Sequence, residues 1–105
     1  MTEPKRLLIV EDDAPSALLL SQILKKFGYV VFDPIDSGEK AFQMSCELNP
    51  DLILMDITLK GDIDGITAAQ KIRDKCGIPF IYTTVSIDDR TIMRARESMP
   101  YGYIL

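Results

Sequence analysis

Five short apolar runs, separated by segments of helical character, are the feature of this sequence that most restricts its fold. A continuous apolar run of about four residues is typical of a strand that is buried on both faces of a sheet. Between the runs, apolar residues recur at helical spacing. This alternation predicts an α/β fold in which right-handed crossovers build a doubly wound parallel sheet. The predicted strands are residues 7–10, 29–32, 52–55, 79–82 and 102–105.

Polar residues predict where the intervening helices begin, and apolar residues predict which face of each helix packs inward. Asp64 is expected to cap the third helix, and Asp36 with Glu39 has the spacing of a capping box. Ser86 with Asp89 is expected to open the fourth helix. The predicted inward residues are Ala17, Leu20, Leu24 and Phe27 in the first helix, Ala41, Met44 and Leu48 in the second, Ile66, Ala69 and Ile72 in the third, and Ile92, Ala95 and Met99 in the fourth.

Acidic residues stand at the ends of the first and third predicted strands. Glu11, Asp12 and Asp13 follow the first strand, and Asp56 follows the third. Ligands of a doubly wound sheet bind outside the carboxyl ends of its strands, so Glu11, Asp12 and Asp56 are expected to converge on one crevice. Clustered carboxylates repel one another, and a hard divalent cation relieves that repulsion. Oxygen ligands alone favour Mg²⁺, or else Mn²⁺ or Ca²⁺.

A structural explanation of the same acids is that they cap the helix that follows them. Asp13 is expected to do only that. For Glu11 and Asp12 taken alone, capping and metal ligation explain the pattern equally well. Asp56 favours ligation, because it directly follows a buried strand at the ligand-binding edge. Thr84, after the fourth strand, is weaker evidence, since threonines often cap helices or end strands.

Composition excludes several classes of function. The chain has 105 residues, enough for one domain, and contains no histidine, which removes catalytic triads and histidine-ligated zinc or haem. A net charge of −4 and a pI near 4.7 argue against nucleic-acid binding. No apolar run is long enough to span a bilayer, and no signal peptide is recognisable, so we expect a cytoplasmic domain without a membrane partner. Cys46 and Cys76 are far apart and are expected to be reduced.

Four segments of the chain resemble the receiver domain of two-component response regulators. They are LLIVEDD at 7–13, PDLILMDITLKGDIDG at 50–65, IPFIYTTVS at 78–86 and YGYIL at 101–105. The segments occur in the family's order and at its spacings, and the match that they define extends over nearly the whole chain, from residue 7 to residue 105. The resemblance implies a flavodoxin-like fold, with a five-stranded parallel sheet in the order 2-1-3-4-5 and five helices. It also implies that the domain takes part in a two-component phosphorelay.

The resemblance assigns the phosphoacceptor and its cofactor. Asp56 matches the aspartate that accepts the phosphoryl group. Asp12 and Asp56, with Glu11 bound directly or through water, match the ligands of Mg²⁺. The backbone carbonyl of Thr58 matches a further ligand of that ion. The domain is then a signalling switch that catalyses only its own phosphorylation and dephosphorylation, rather than an enzyme with a separate substrate.

The resemblance also assigns the switch residues and the partner. Thr84 matches the residue that hydrogen-bonds the phosphoryl group, and Tyr103 matches the aromatic residue whose rotamer follows phosphorylation. The phosphoryl donor is expected to be a sensor histidine kinase or a phosphotransfer protein, since the donor histidine must come from a partner. No nucleic acid is expected to bind this domain.

Two departures from the family pattern modify these expectations. The loop at 58–65 lacks the proline that the family commonly has near Lys60 and is one residue longer. The sequence ends at Leu105, before the family's phosphoryl-contacting lysine and fifth helix. We therefore expect residues 1–105 to be a single, C-terminally truncated receiver domain that lacks the fifth helix. Its partly uncovered sheet face favours a homodimer.

Two alternatives stay open on the residues alone. A phosphorylation-independent interaction module of receiver fold is favoured by the missing lysine and opposed by the intact set of Glu11, Asp12 and Asp56. A flavodoxin-like cofactor binder is opposed by the acids after the first strand, which repel a ligand phosphate. A hydrolase or EF-hand interpretation of the segment 62–67 fails, because no buried strand precedes it and Arg73 stands where the EF-hand needs Glu.

Overall fold

The computed structural model describes residues 3–83 and 88–104 of the chain. In this part, strands and helices alternate as predicted, and each strand limit lies within one residue of the predicted one. Asp56 is the last residue of its strand rather than the residue after it. None of the helices in the described ranges has the length and apolar character needed to cross a bilayer. The elements are β1 (Arg6–Val10), α1 (Ala14–Lys26), β2 (Val30–Val31), α2 (Gly38–Leu48), β3 (Leu52–Asp56), α3 (Gly65–Cys76), β4 (Phe80–Thr83), α4 (Asp89–Glu97) and β5 (Gly102–Ile104).

The five strands form one parallel sheet in the order β2-β1-β3-β4-β5. This confirms the predicted doubly wound, flavodoxin-like α/β fold and its strand order. Val10 pairs with Met55, and Asp56 pairs with Thr83. The carboxyl ends of β1, β3 and β4 therefore lie side by side at one edge of the sheet, where ligands bind in folds of this type.

The main hydrophobic core lies between one face of the sheet and the helices α2 and α3. The residues predicted to face inward from α3 are fully buried. At the start of α2, Gly38 permits a close approach, because a Cβ there would lie 2.9 Å from the side chain of Ile63. The strand residues in this core alternate along the chain, and they are Leu8, Val10, Ile53, Met55, Phe80 and Tyr82.

The opposite face of the sheet carries α1 and an apolar groove of about 470 Å³. Ala17 of α1 is buried, as predicted. The groove is open to solvent, in keeping with a sheet face that is partly uncovered in the described structure. A homodimer through this face stays a prediction. The apolar groove residues are Leu7, Leu24, Leu52, Leu54 and Ile81.

Several residues predicted to face inward are exposed instead. Phe27 is 78% exposed, Met44 is 42% exposed and Met99 is 66% exposed, and Ile92 is also exposed. Helical spacing shows which residues share a face, but burial requires another element above that face. Phe27 is the C-cap of α1 and Met99 follows the end of α4, so both lie beyond the last packed turn of their helix.

The predicted caps at Asp13 and Asp64 are confirmed. Asp13 accepts the backbone N–H of Ser16 at 3.0 Å, and Asp64 accepts that of Thr67 at 2.9 Å. Each carboxylate thereby satisfies one of the unpaired N–H groups at a helix start. Arg94 of α4 also reaches Asp64 at 2.9 Å and ties the fourth helix to the third.

The predicted capping box of α2 is wrong by one residue. Ser37 is the N-cap and accepts the N–H of Lys40 at 3.2 Å, while Asp36 forms an ion pair with the Lys40 ammonium. Serine and aspartate cap helices about equally well, so adjacent candidates are not distinguished by the sequence. In α4 the N-cap is Asp88, and the predicted opener Ser86 lies outside the described residues.

The prediction that Cys46 and Cys76 are free thiols is wrong. The two residues form a disulfide with a Cα–Cα distance of 5.8 Å, across the ends of α2 and α3. The prediction rested on their separation of 30 residues in the chain. It failed because α2 and α3 pack as neighbours on one face of the sheet, which brings their last turns together.

Reduction of this disulfide is expected to lower the free energy of unfolding by about 3.5 kcal/mol, because the bond closes a long loop in the unfolded chain. Urea unfolding with and without a dithiol reductant measures the change. The variant Cys46→Ser/Cys76→Ser is the control and should match the reduced protein. Equal midpoints for the oxidised and reduced chains would contradict the assignment.

Candidate carboxylate site

Three carboxylates from two strands meet at the carboxyl-terminal edge of the sheet. The register that pairs Val10 with Met55 places Glu11 beside Asp56. One ligand oxygen from each of Glu11, Asp12 and Asp56 lies within 4.8 Å of the other two. The predicted convergence of these residues is confirmed as geometry. Their separation allows all three to contact one small divalent cation.

Asp56 is the buried member of the site, with 7% of its surface exposed. Its Oδ1 accepts the backbone N–H of Thr58 at 3.2 Å and the Thr58 hydroxyl at 3.3 Å. Asp12 accepts the backbone N–H of Lys60 at 3.1 Å. The loop after β3 therefore supplies donors to two of the three carboxylates, and those bonds fix its path over the site.

The pKa of Glu11 is raised by its position in the site. Burial, together with the neighbouring Asp56 carboxylate, raises the pKa of Glu11 to about 7. The backbone N–H of Asp13 donates to Glu11 at 3.2 Å and offsets only part of that increase. A group that is hard to ionise among acids marks a place where positive charge is favourable.

Buried and exposed side chains alternate along the loop after Asp56, and the buried ones hold it in place. Ile57 and Leu59 are buried at 2% and 8% exposure, while Thr58 and Lys60 face solvent. The chain then returns to the strand, and the N–H of Gly65 donates to the Ile57 carbonyl at 2.9 Å. A Cβ at Gly65 would lie only 1.8 Å from the Asp56 carbonyl oxygen. Only glycine allows α3 to start this close to the acidic strand end.

Sequence reasoning missed the role of Glu39. Its Oε1 accepts the N–H of Ile63 at 2.8 Å, which fastens the loop to the first turn of α2. This hydrogen bond holds the pKa of Glu39 below its ordinary value, so the carboxylate is ionised at neutral pH. The sequence signal was an acid three residues after Asp36, in the first turn of a helix, which a capping box and the helix dipole explain equally well.

Of the three other predicted site residues, the structure describes Thr58 and the backbone of Tyr103 but not Thr84. Thr84 lies outside the described residues, although Thr83 before it pairs with Asp56. The backbone of Tyr103 pairs with Tyr82 between β4 and β5, and its side chain lies outside the described part of the structure. Thr58 contacts Asp56 through its N–H and hydroxyl, and its carbonyl as a metal ligand stays a prediction.

The fold and the positions of the three carboxylates together define a flavodoxin-like α/β domain with a carboxylate site at its ligand-binding edge. Residues 7–105 match the family model of the response regulator receiver domain. The chain belongs to this family, and it is a receiver domain of the response regulators of two-component systems. The resemblance found in the sequence is thereby confirmed.

Two curated relatives illustrate the family. The chain is 30% identical over 102 residues to the transcriptional regulatory protein PdtaR of Mycobacterium tuberculosis, a match that covers 97% of this chain and 49% of PdtaR. It is 34% identical over 106 residues to the DNA-binding response regulator MtrA of Mycobacterium bovis, covering 99% of this chain and 45% of MtrA. The chain thus spans about half the length of these relatives.

Solved structures agree with this assignment. The signal receiver domain of a modulated diguanylate cyclase from Desulfovibrio desulfuricans G20 superimposes with a TM-score of 0.91 at 38% identity, covering 96% of this chain and 80% of that one. The BeF3-activated N-terminal receiver domain of RstA from Klebsiella pneumoniae gives 0.85 at 29% identity, covering 95% and 84%.

Gly65→Ala is expected to destabilise the fold by about 2–3 kcal/mol, because the added methyl group overlaps the Asp56 backbone. Gly102→Ala is the matched control, since a Cβ there makes an ordinary contact at 3.6 Å with Ile81. Its effect should stay within about 0.5 kcal/mol. Denaturant unfolding measures both, and similar losses for the two variants would contradict the steric argument.

The metal-free domain should lose stability as the pH rises from about 4.5 to about 7. A carboxyl whose folded-state pKa is raised stabilises the fold fully below its ordinary pKa, and this stabilisation is lost as pH rises through the folded pKa. Glu11→Gln cannot ionise and should remove most of this dependence. Thermal midpoints measured in a chelator across this range test it, with the exposed Glu47→Gln as the control. An unchanged pH dependence in Glu11→Gln would contradict the assignment.

Proposed function

We propose that Asp56 accepts a phosphoryl group and that Glu11, Asp12 and Asp56 hold the Mg²⁺ that this transfer requires. The observation that carries the proposal is the meeting of three carboxylates within 4.8 Å, one of them buried, at the ligand-binding edge of the sheet. Membership of the receiver family supports it. The BeF3-activated state of the RstA receiver also supports it, because the BeF3 group has the shape and charge of a phosphoryl group.

The donor set fits Mg²⁺. All three side chains offer oxygen atoms, which this ion prefers, and the raised pKa of Glu11 indicates that the site favours an added positive charge. A bound Mg²⁺ supplies charge neutralisation for the transferring phosphoryl oxygens. The backbone carbonyl of Thr58 is proposed as a further ligand, since its residue lies directly beside Asp56.

The chain's own residues position the nucleophile. Thr58 binds one oxygen of Asp56 through two donors and so orients the carboxylate. A carboxylate oxygen then attacks phosphorus, the bond from phosphorus to the donor breaks, and its electron pair leaves with the donor. Attack by water on the acyl phosphate releases inorganic phosphate and regenerates the carboxylate. Neither step requires a histidine in this chain.

The partner and the readout follow from the same chemistry. The donor is proposed to be a histidine of a sensor kinase or phosphotransfer protein in the cytoplasm, since this chain contains none. Thr84 is proposed to hydrogen-bond the phosphoryl group, and the pairing of Thr83 with Asp56 supports its reach. Tyr103 is proposed to follow this movement and to change the surface beside β5, as a switch biased by local charge.

The test is phosphorylation by acetyl phosphate with Mg²⁺, read by intact mass. The wild-type chain should gain the mass of one phosphoryl group, and Asp56→Asn should gain none. Asp62→Asn, which removes an exposed acid from the same loop, is the control and should label normally. An unlabelled wild type, or labelling that survives in Asp56→Asn, would contradict the proposal. The first outcome leaves the phosphorylation-independent interaction module as the function.

Mg²⁺ should also stabilise the fold. At a concentration a hundred times its Kd, binding to the folded state alone adds about 2.7 kcal/mol to the free energy of unfolding. Asp12→Asn removes a ligand and should abolish most of this gain, whereas Asp33→Asn, an exposed acid after β2, should keep it. Urea unfolding in Mg²⁺ and in a chelator measures the effect. Equal gains in both variants would show that the ion binds elsewhere.

A further inference from the structure

The disulfide lies where it can be exchanged by other thiols. Cys76 is the last residue of α3, and Cys46 lies in the last turn of α2, at the end of the helix pair away from the carboxylates. Both residues are half-buried rather than enclosed. Disulfides that occur in reducing compartments are usually transient or redox-sensing, whereas structural ones are protected in oxidising compartments. An accessible bond in a signalling domain therefore suggests reversible chemistry.

Charged side chains of both signs surround the disulfide. Lys75 precedes Cys76 in the chain, and its ammonium lies 4.9 Å from the centroid of the Phe42 ring, one helical turn before Cys46. The ammonium of Lys71 lies 5.6 Å from the same ring. Cations near a cysteine stabilise its thiolate, which is the form that attacks a disulfide. Glu47, beside Cys46, is exposed, as are Lys71 and Lys75, so water screens the charges of both signs and their net effect on the thiols is small.

The structure also offers a hydrogen-bond acceptor to the Cys76 thiol of the reduced form. The Ile72 carbonyl oxygen lies 3.4 Å from Sγ of Cys76, where it can accept the S–H once the bond is broken. Phe42, Leu48 and Cys76 pack against the main hydrophobic core. Phe42 and Leu48 make these apolar contacts through atoms other than the two sulfurs, and such contacts remain available to hold the helix pair when the bond is broken.

The other end of the same helix pair touches the carboxylate site. The first turn of α2 holds the loop after β3 through the bond between Glu39 and Ile63. The same loop donates from Lys60 to Asp12. Contiguous hydrogen bonds therefore connect the first turn of α2 to a loop that contacts the site.

We propose that Cys46 and Cys76 form a reversible thiol–disulfide site that sets how firmly α2 clamps the loop beside the carboxylates. In reduction, the thiolate of a dithiol or of a low-molecular-weight thiol attacks one sulfur and forms a mixed disulfide. That attack breaks the Cys46–Cys76 bond and releases one cysteine as a thiolate. A second reductant thiolate, from the same dithiol or from a second thiol molecule, then attacks the reductant sulfur of the mixed disulfide and releases the other cysteine. The protein gains two electrons and two protons, and the reductant becomes a disulfide; oxidation is the reverse. The thiol–disulfide site stands independently, and only its effect on phosphorylation rests on the proposed function.

The first experiment measures the equilibrium between the dithiol and disulfide forms of Cys46 and Cys76. The chain is equilibrated with graded ratios of reduced to oxidised glutathione, the free thiols are trapped by alkylation, and intact mass is recorded. One reversible two-electron transition between zero and two alkylated cysteines supports the proposal. Failure to form the intramolecular disulfide at the most oxidising ratio, or failure of excess dithiol to reduce the folded chain, overturns it.

The second experiment uses amide hydrogen exchange to measure how firmly α2 holds the loop after β3. The Ile63 amide should exchange about tenfold faster in the reduced chain, because local opening of the loop becomes easier. Cys46→Ser/Cys76→Ser should behave as the reduced chain does and ignore reductant. The amide of Thr91, bonded to Asp88 in α4 far along the chain, is the internal control and should not change. Equal Ile63 rates in both redox states overturn the clamp.

The third experiment separates this inference from the proposed function. Labelling by acetyl phosphate and Mg²⁺ is followed in the oxidised chain, the reduced chain and the double serine variant. Severalfold slower labelling in the last two supports coupling, and equal rates in all three overturn it. Absence of labelling in every form overturns the proposed function instead, while the redox transition and the Ile63 exchange rates continue to support the thiol–disulfide site.

Discussion

The repulsion among three carboxylates at one sheet edge is the constraint around which the rest of this domain is arranged. The parallel register of β1 and β3 forces Glu11 and Asp12 toward the buried Asp56, within 4.8 Å. Burial, together with the neighbouring Asp56 carboxylate, disfavours ionisation of Glu11 and raises its pKa. The fold tolerates this unfavourable cluster because the loop after β3 and the buried residues beneath it hold the carboxylates in position.

That loop connects the site to the helices around it. Buried Ile57 and Leu59 anchor it from below, Gly65 lets it return to the strand, and Glu39 fastens it to α2. The disulfide holds the other end of that helix, so one pair of packed helices connects the two cysteines to the loop beside the carboxylates.

The fold and the three carboxylates could be predicted because they depend on local patterns: apolar runs, alternation of elements and acids at strand ends. What failed depended on which helices and loops pack against one another, which the shared edge of the parallel strands does not determine. The disulfide and the bond of Glu39 to Ile63 require α2 and α3 to be neighbours, which residue spacing does not reveal. The exposure of Phe27 failed for a related reason, since a helical face is buried only where another element covers it.

The measurement that tests the central claim most directly is a crystal structure grown with Mn²⁺ and beryllium fluoride, with the metal located by its anomalous signal. The account predicts one metal peak about 2.1 Å from oxygens of both Asp12 and Asp56, with the fluoride on Asp56. A metal bound elsewhere, or a fluoride that leaves Asp56 unmodified, would contradict it.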